Sequence, residues 1–553
     1  MITRLRIITF LFLIAFAATI GRLFFLQVIN AEYYIETAGA QQTVERPLEP
    51  KRGSIFLSGG VPFAVTARSF NVWVSPKDIL PEAREDIAAG LAQTLKQNKE
   101  NILERISKEG DPYEPISEGV SEETIAELER LNHPAIHWAG ADSRHYPLEE
   151  LGAHILGFLG RKDSEKIGQY GLEEFYEGLL SGRSGYVEGV RNPFGFIIWP
   201  LSKTSKPTDG ADLHLTIDYN IQLALERELA RASADFSAER ANGIIVDPKT
   251  GDILAMASVP SFNPNKYQET ENISLFLNPN TQRLFEPGSI FKPITMAVGL
   301  DINVVSPDLT YVDTGLVEIG SAKIRNATEE AYGVQTMTQV LEKSLNTGAV
   351  FVVRRIPSGV WREYLERFGL NERTRIDLAG EIKGDIKNVS SRRELEIATS
   401  AFGQGIAVTP VELTMAIAAI ANGGELVEPH LVEQEPKVIR RVLKPETAEA
   451  VTKMMVSVVE SGSGARARLA GYSVAGKTGT AQIPSSQGGY SEETIHSFVG
   501  FAPAFNPAFA MLITLEKPRG VRFAETSVGP VFRELTEFIL HYYGIEPDKP
   551  LIK

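Results

Sequence analysis

The strongest constraint on this chain sits at its start. Ile7 to Ile20 is a predominantly apolar run, followed by Gly21, Arg22 and a second apolar patch, Leu23 to Leu26. The first run alone is short of the ~20 residues that cross a bilayer, but Leu5 to Leu26 reaches that length if Arg22 snorkels to the far interface. A cleaved signal peptide competes with this reading, because Ala15-Phe16-Ala17 forms an A-x-A site. Arg4 and Arg6 precede the segment, and Glu32 and Glu36 follow it. The positive-inside rule then keeps a tail of residues 1–4 in the cytoplasm and leaves everything beyond the span at 5–26 outside it. No later segment is long and apolar enough for a second crossing. The expectation is a single-pass protein of the cell (inner, cytoplasmic) membrane whose working parts fold in water on the far side.

At 553 residues the chain is too long for one ordinary core, so two or more domains are expected. A net charge of −14 without a dense Lys/Arg block argues against a nucleic-acid partner. The absence of cysteine excludes disulfides, thiolate zinc sites and a cysteine nucleophile. The closest histidine pair, His133 and His137, is split by Pro134, which spoils an i,i+4 pair on one helix. We expect no metal site and no cofactor.

Residues 30–205 read as a mixed, non-catalytic domain, with strand-like pieces ("FNVWVS"), acidic helical ones ("SEETIAELERL") and no catalytic cluster. The polar stretch 201–212, with Pro207 and Gly210, reads as a linker. Over 211–545 the pattern becomes that of an α+β domain. "LHLTID" looks like a strand, and Asp218 can cap a helix carrying Ile221, Leu225, Leu229 and Ala232 on one face. "NGIIVDPKTGDILAMAS" reads as two strands and a tight loop. Thr409, Pro410 and Glu412 announce a helix start, and Gly423-Gly424 its end. "SFVGFAP" and "FAMLITLE" add strands.

Three short patterns could carry chemistry. "EPGSIFKP" holds the only S-x-x-K of the chain, placing Ser289 at a helix start and Lys292 one turn later on the same face. A lysine desolvated by an apolar helix and a nearby cation loses its proton readily and can deprotonate a serine. The bland alternative is a helix cap followed by a solvated lysine, but this helix is too apolar to be a solvated face. "KSLNTG" places Ser344 after a helical stretch, able to bridge two lysines, with the Asn346 amide able to hold a carbonyl; a plain helix C-terminus fits equally well locally. The triplet Lys-Thr-Gly occurs twice. In "VDPKTGDIL", Pro248 presets a turn and Gly251 takes its left-handed position, so Lys249 should project from a hairpin tip into water. In "VAGKTGTAQ", Lys477 lies among small residues, as in a strand approached closely by another backbone. Such an edge strand could pair with an extended peptide, Lys477, Thr478 and Thr480 meeting its carboxylate.

S-x-x-K, S-x-N and K-T-G in this order form the set of the penicillin-binding proteins and class A β-lactamases. The chain resembles a class B penicillin-binding protein, a membrane-anchored peptidoglycan D,D-transpeptidase, over nearly its whole length. "GRLFFLQVIN", "KRGSI", "RHYPLEELGAHILGFLG" and "YGLEEFYEGLLSGRSG" look like the segment leaving the membrane and the pedestal motifs. "LTIDYNIQ", "FEPGSIFKP", "AFGQGIAVTPVEL" and "GKTGTAQ" match successive parts of the transpeptidase domain. The resemblance implies an elongated pedestal and a C-terminal penicillin-recognising domain, an antiparallel sheet sandwiched by helices. It implies Ser289 as nucleophile, Lys292 as its base, Ser344 as proton relay, Asn346 at the substrate, and Lys477, Thr478, Gly479 and Thr480 around the terminal carboxylate. The N–H groups of Ser289 and Thr480 would form an oxyanion hole. Implied partners are D-Ala-D-Ala donor stems, an amine acceptor, β-lactams, and a polytopic glycan-polymerising membrane protein with other divisome components. "SFVGFAPAFNPAFAMLITLEKP" looks closer to the septal branch of the family than to the elongation branch. A β-lactamase or β-lactam sensor would explain the catalytic half but not the pedestal. A silent scaffold would have little reason to keep Ser289, Lys292 and Lys477.

Overall fold

The computed structural model describes residues 2–34, 37, 43–162, 165–191, 197–198, 204–391, 393–485 and 488–550. They form two compact units, Met1–Gly53 with Gly178–Ala211, and Ser54–Glu177 with Asp212–Lys553.

In the first unit, helix α1 (Ile2–Phe24) continues through one π-helical turn, Phe25–Ile29. No residue of α1 is buried, so its apolar side chains all face outward. One sheet follows, in which Thr43–Leu48 runs antiparallel to Gly185–Arg191. Thr204–Ser205 pairs with that same strand. The stretch read as a linker is therefore ordered over its described part, residues 201–203 lying outside it. Asp209 Oδ1 accepts from Lys51 N at 2.9 Å, and Gly210 N donates to Lys51 O at 2.8 Å. Its polar residues serve backbone groups that solvent would otherwise have to satisfy.

The second unit holds two sheets of consequence. Strand β1 (Pro62–Val74) pairs antiparallel with both β2 (Glu114–Val120) and β3 (Ile136–His145). Val72, Val74, Ile102, Ile106, Ile116 and Ile125 make a core beneath it. The expected helix of "SEETIAELERL" forms over Glu122–Glu129, capped by the Ser121 side chain. Side-chain bonds tie this region to the C-terminal part of the unit, among them Gly152 N donating to Glu226 Oε1 (2.7 Å) and the Tyr176 hydroxyl to Asp377 Oδ2 (3.0 Å).

The larger sheet begins after helix α2 (Tyr219–Asp235), capped by Asp218 Oδ1 on the N–H groups of Asn220 and Ile221. The strand expected before it is confined to Leu213–His214; beyond it, the Thr216 hydroxyl turns to Ile253 O at 2.8 Å. Hairpin strands β4 (Arg240–Val246) and β5 (Ile253–Val259) come next, as expected. Then come helices α3 (Lys292–Asp301), α4 (Met337–Glu342), α5 (Asn346–Val353), α6 (Pro410–Ala421) and α7 (Pro445–Ser461). Strands β6 (Ala475–Pro484), β7 (Tyr490–Ala502), β8 (Phe509–Glu516) and helix α8 (Ala524–Tyr542) complete the chain of elements. The antiparallel order is β5-β4-β8-β7-β6, which leaves β6 at one edge and β5 at the other. Ala241 and Ile245 face a cluster shared with α2 and α8. Ile244 and Val246, alternating with them, are fully buried outside that cluster, and α6 packs on the same strand. A sheet buried on both faces between helices is the α+β arrangement read from the sequence, and the sandwich that the resemblance implied.

Helix α6 carries the full capping box: Thr409 Oγ1 accepts from Glu412 N at 3.2 Å, and Glu412 Oε2 from Thr409 N at 2.7 Å. Burial raises the Glu412 carboxyl to about 7.

Candidate active site

Four separate stretches converge at the β6 edge. Gly288 takes a left-handed φ of 59° and donates its N–H to Gly403 O at 3.0 Å. A Cβ on Gly288 would stand 2.8 Å from that of Ala481 on β6, so only glycine lets this turn lie against the strand. From there Gly288–Phe291 forms a 3₁₀ turn and α3 starts at Lys292, later than the helix start expected at Ser289. Pro293 supplies the reason. It has no N–H to give Ser289 O in an i,i+4 bond, and Lys292 N takes that carbonyl in an i,i+3 bond instead. Ile290, Phe291 and Lys292 are buried, while Ser289 keeps part of its surface in solvent. Lys292 is still one turn from Ser289.

The position of the Lys292 Nζ is fixed by the S-x-N turn. This atom donates to Ser344 O at 2.5 Å and to Ser344 Oγ at 3.2 Å. Ser344 sits between α4 and α5 with a left-handed φ of 55°. Asn346, the first residue of α5, donates through Nδ2 to Arg325 O at 2.8 Å. Its neighbour Thr347 anchors α5 from below, donating to the buried Asp313 Oδ1 at 2.6 Å.

Lys477 lies on β6, fully buried. Its Nζ donates to Thr478 O (3.1 Å), Ser463 Oγ (3.4 Å) and Thr478 Oγ1 (3.5 Å). Gly479 is where the strand meets the serine turn: a Cβ there would stand 2.6 Å from Ser497 Oγ and 3.2 Å from Ile290 N. The small residues of "VAGKTGTAQ" do mark a close backbone, and that backbone is the one carrying Ser289. Thr480 Oγ1 accepts from Ala524 N at 3.0 Å, at the start of α8. Its hydroxyl oxygen is thus engaged, and what it offers a ligand is its proton. Ser463, which the sequence did not single out, also reaches the site; its only signal was a glycine-flanked position after a helix, in "ESGSGARA".

The two lysines differ from ordinary ones. Burial, and after it the charge of Lys477, holds Lys292 well below the usual amine range. Burial alone brings Lys477 down to about 7. A neutral amine beside a serine hydroxyl can accept a proton, and a partly charged one can hold an anion.

The other triplet is elsewhere. Lys249 lies on the tip joining β4 and β5, at the opposite edge of the sheet, where Gly251 has φ 89° and donates to Asp247 O at 2.9 Å. Lys249 is exposed, though its Nζ does not simply dangle in water: it donates to Asn506 Oδ1 at 2.7 Å.

Comparison with known proteins bears on the whole chain. Residues 243–537 match the penicillin binding protein transpeptidase domain, and residues 47–215 match the penicillin-binding protein dimerisation domain. Stage V sporulation protein D of Bacillus subtilis (strain 168) is 31% identical over 551 residues, covering 96% of this chain and 84% of the relative. Peptidoglycan D,D-transpeptidase FtsI of Escherichia coli (strain K12) is 30% identical over 543 residues, covering 97% and 91%. In fold, the chain is similar to penicillin binding protein 2X from Streptococcus thermophilus, with a TM-score of 0.73, 22% identity, and coverage of 90% of this chain and 80% of that one.

Proposed function

The chain belongs to the class B penicillin-binding proteins, peptidoglycan D,D-transpeptidases with a membrane-anchoring apolar helix at the N-terminus, and on that premise we propose how its residues divide the work. Ser289 Oγ attacks the carbonyl carbon of the penultimate D-Ala of a donor stem, and its proton passes to neutral Lys292. The N–H groups of Ser289 and Thr480 stabilise the oxyanion. Ser344 relays a proton to the departing terminal D-Ala amine, leaving an ester on Ser289. The amine of a neighbouring stem then attacks that ester, forms the cross-link and frees the serine. Asn346 orients the donor, and Lys477 with Thr478 and Thr480 holds its terminal carboxylate, Gly479 giving the strand its close approach. β-Lactams acylate the same serine and stop there.

The observation that carries this reading is the buried contact of Lys292 Nζ with both Ser344 O and Ser344 Oγ, one turn from Ser289. It supports the reading by bringing a buried amine, its basicity lowered by burial and by Lys477, against the hydroxyl proposed as the relay. The test is labelling with a fluorescent penicillin and mass spectrometry of the labelled peptide. Label should sit on Ser289 and vanish in Ser289→Ala; label elsewhere, or undiminished label in that variant, overturns the assignment.

The same reading puts a cytoplasmic tail at 1–4, the span at 5–26, the pedestal at 30–205 and the transpeptidase domain at 211–545 on the outer side. A polytopic glycan-polymerising membrane protein and other divisome components are its expected associates. Septal synthesis is supported by similarity to proteins named FtsI. The comparable similarity to a protein named for sporulation favours a second reading, wall synthesis during spore formation. Depletion in growing cells separates them: filaments support the septal role, rounded cells an elongation role, and normal growth a sporulation role.

A further inference from the structure

Lys477 does not hold its charge alone. Its Nζ donates to Ser463 Oγ at 3.4 Å, and the Thr478 hydroxyl donates to that same oxygen at 3.2 Å. Ser463 Oγ thus accepts twice, and its own O–H proton is left for a third group. The residue retains some exposure, so a ligand can reach it.

Its position is fixed from the other half of the site. Ser463 lies between Gly462 and Gly464, just past α7, and its N–H donates to Glu342 O at 2.8 Å. Gly462 is pressed so near the same residue that a Cβ would stand 2.6 Å from Glu342 O. The Glu342 carboxylate in turn takes the Ser457 hydroxyl. Glu342 ends α4, two residues before Ser344. One short turn therefore ties the S-x-N side of the cleft to the K-T-G strand, with a hydroxyl at the joint.

We propose that Ser463 orders the carboxylate subsite: it accepts the Thr478 hydroxyl proton and a Lys477 N–H, and offers its own O–H to the terminal carboxylate of a stem peptide or β-lactam. The inference rests on the reading of Lys477 and Thr478 as the carboxylate wall. A positioning hydroxyl of this kind acts on anionic ligands, whereas a merely structural one would affect every ligand alike.

The test compares acylation of the full-length chain in detergent by a fluorescent penicillin and by the methyl ester of its carboxylate. Ser463→Ala should slow the free acid about tenfold, as expected for losing one hydrogen bond to a charged group, and leave the ester within about twofold. Ser463→Thr, which keeps the hydroxyl, should restore the acid rate. Equal slowing of both compounds, no slowing, or no rescue by threonine overturns the proposal. Should Ser463→Ala not fold, Ser463→Cys keeps the volume with a weaker donor and must show the same acid-selective loss. The underlying reading fails separately: a wild-type chain that prefers acid over ester no more than Lys477→Ala does removes Lys477 from the subsite, whatever Ser463 does.

Discussion

The two Lys-Thr-Gly triplets occupy opposite edges of one sheet and share nothing else. Around Lys249 a proline and a left-handed glycine make a hairpin tip, and the lysine stays exposed beside Asn506. Around Lys477 the neighbours are small because a second backbone lies against the strand, and the lysine has no exposed surface. Burying an ammonium is unfavourable, and a chain retains such an arrangement where the charge is used. What separates the triplets is therefore the environment their flanking residues create.

The largest break in the comparison should come from removing the lysine charge at the cleft edge. Lys477→Ala should slow acylation by a carboxylate-bearing β-lactam by about 100- to 1,000-fold, the usual cost of deleting a preorganised charged contact in such a site. Stopped-flow labelling measures it.

pH should separate the two next. With Lys477 at about 7, acylation of the free enzyme should fall by about tenfold per pH unit above that value as the ammonium is lost. Stability should move the other way. Between about 7 and its unfolded value of 10.5, the unfolded chain holds a proton that folded Lys477 has released, so stability rises with pH across that window. Lys292, also lowered, contributes with the same sign. Lys477→Met should flatten part of the rise in Tm, and an unchanged Tm profile would mean that Lys477 is not held near neutrality.

The glycines of the triplets should fail differently. Gly479→Ala brings a Cβ against Ser497 Oγ and Ile290 N, pushing the strand from the serine turn, and should slow acylation by about 10- to 100-fold. Gly251→Ala places a Cβ 2.3 Å from Glu428 O at φ 89°, and should cost about 1–3 kcal/mol of stability while folded molecules acylate normally. Paired denaturation and labelling curves tell the two apart. The smallest effect belongs to Lys249→Ala, expected within about 0.5 kcal/mol in denaturation and about twofold in labelling, as for an ordinary exposed side chain.

Much of this is legible in the sequence because it rests on neighbours along the chain. The Asp218 cap, the Thr409–Glu412 box, the β4–β5 hairpin and the two contexts of the triplets are all set within a few residues. What the sequence hides depends on partners far apart. The Thr480 hydroxyl meets Ala524 N, 44 residues away, and Lys477 meets Ser463 across a turn without a motif. The stretch 201–212 reads as a linker because, in its described part, polar residues serving distant backbone groups have the same composition as polar residues serving water. Pro293 is visible in the sequence, but its effect on the register of Ser289 emerges only when the carbonyl it leaves unclaimed is traced to Lys292 N.

The N-terminal helix runs 28 residues without a break, from Ile2 to Ile29. At about 1.5 Å per residue that is about 42 Å, against a hydrocarbon layer of about 30 Å. Placed across a bilayer, the helix would take up its surplus of about eight residues by tilting or by extending past the hydrocarbon at its two ends. Membrane thickness would then set how far the helix ends protrude, so that thickening the host lipid should draw them inward and thinning it should push them out.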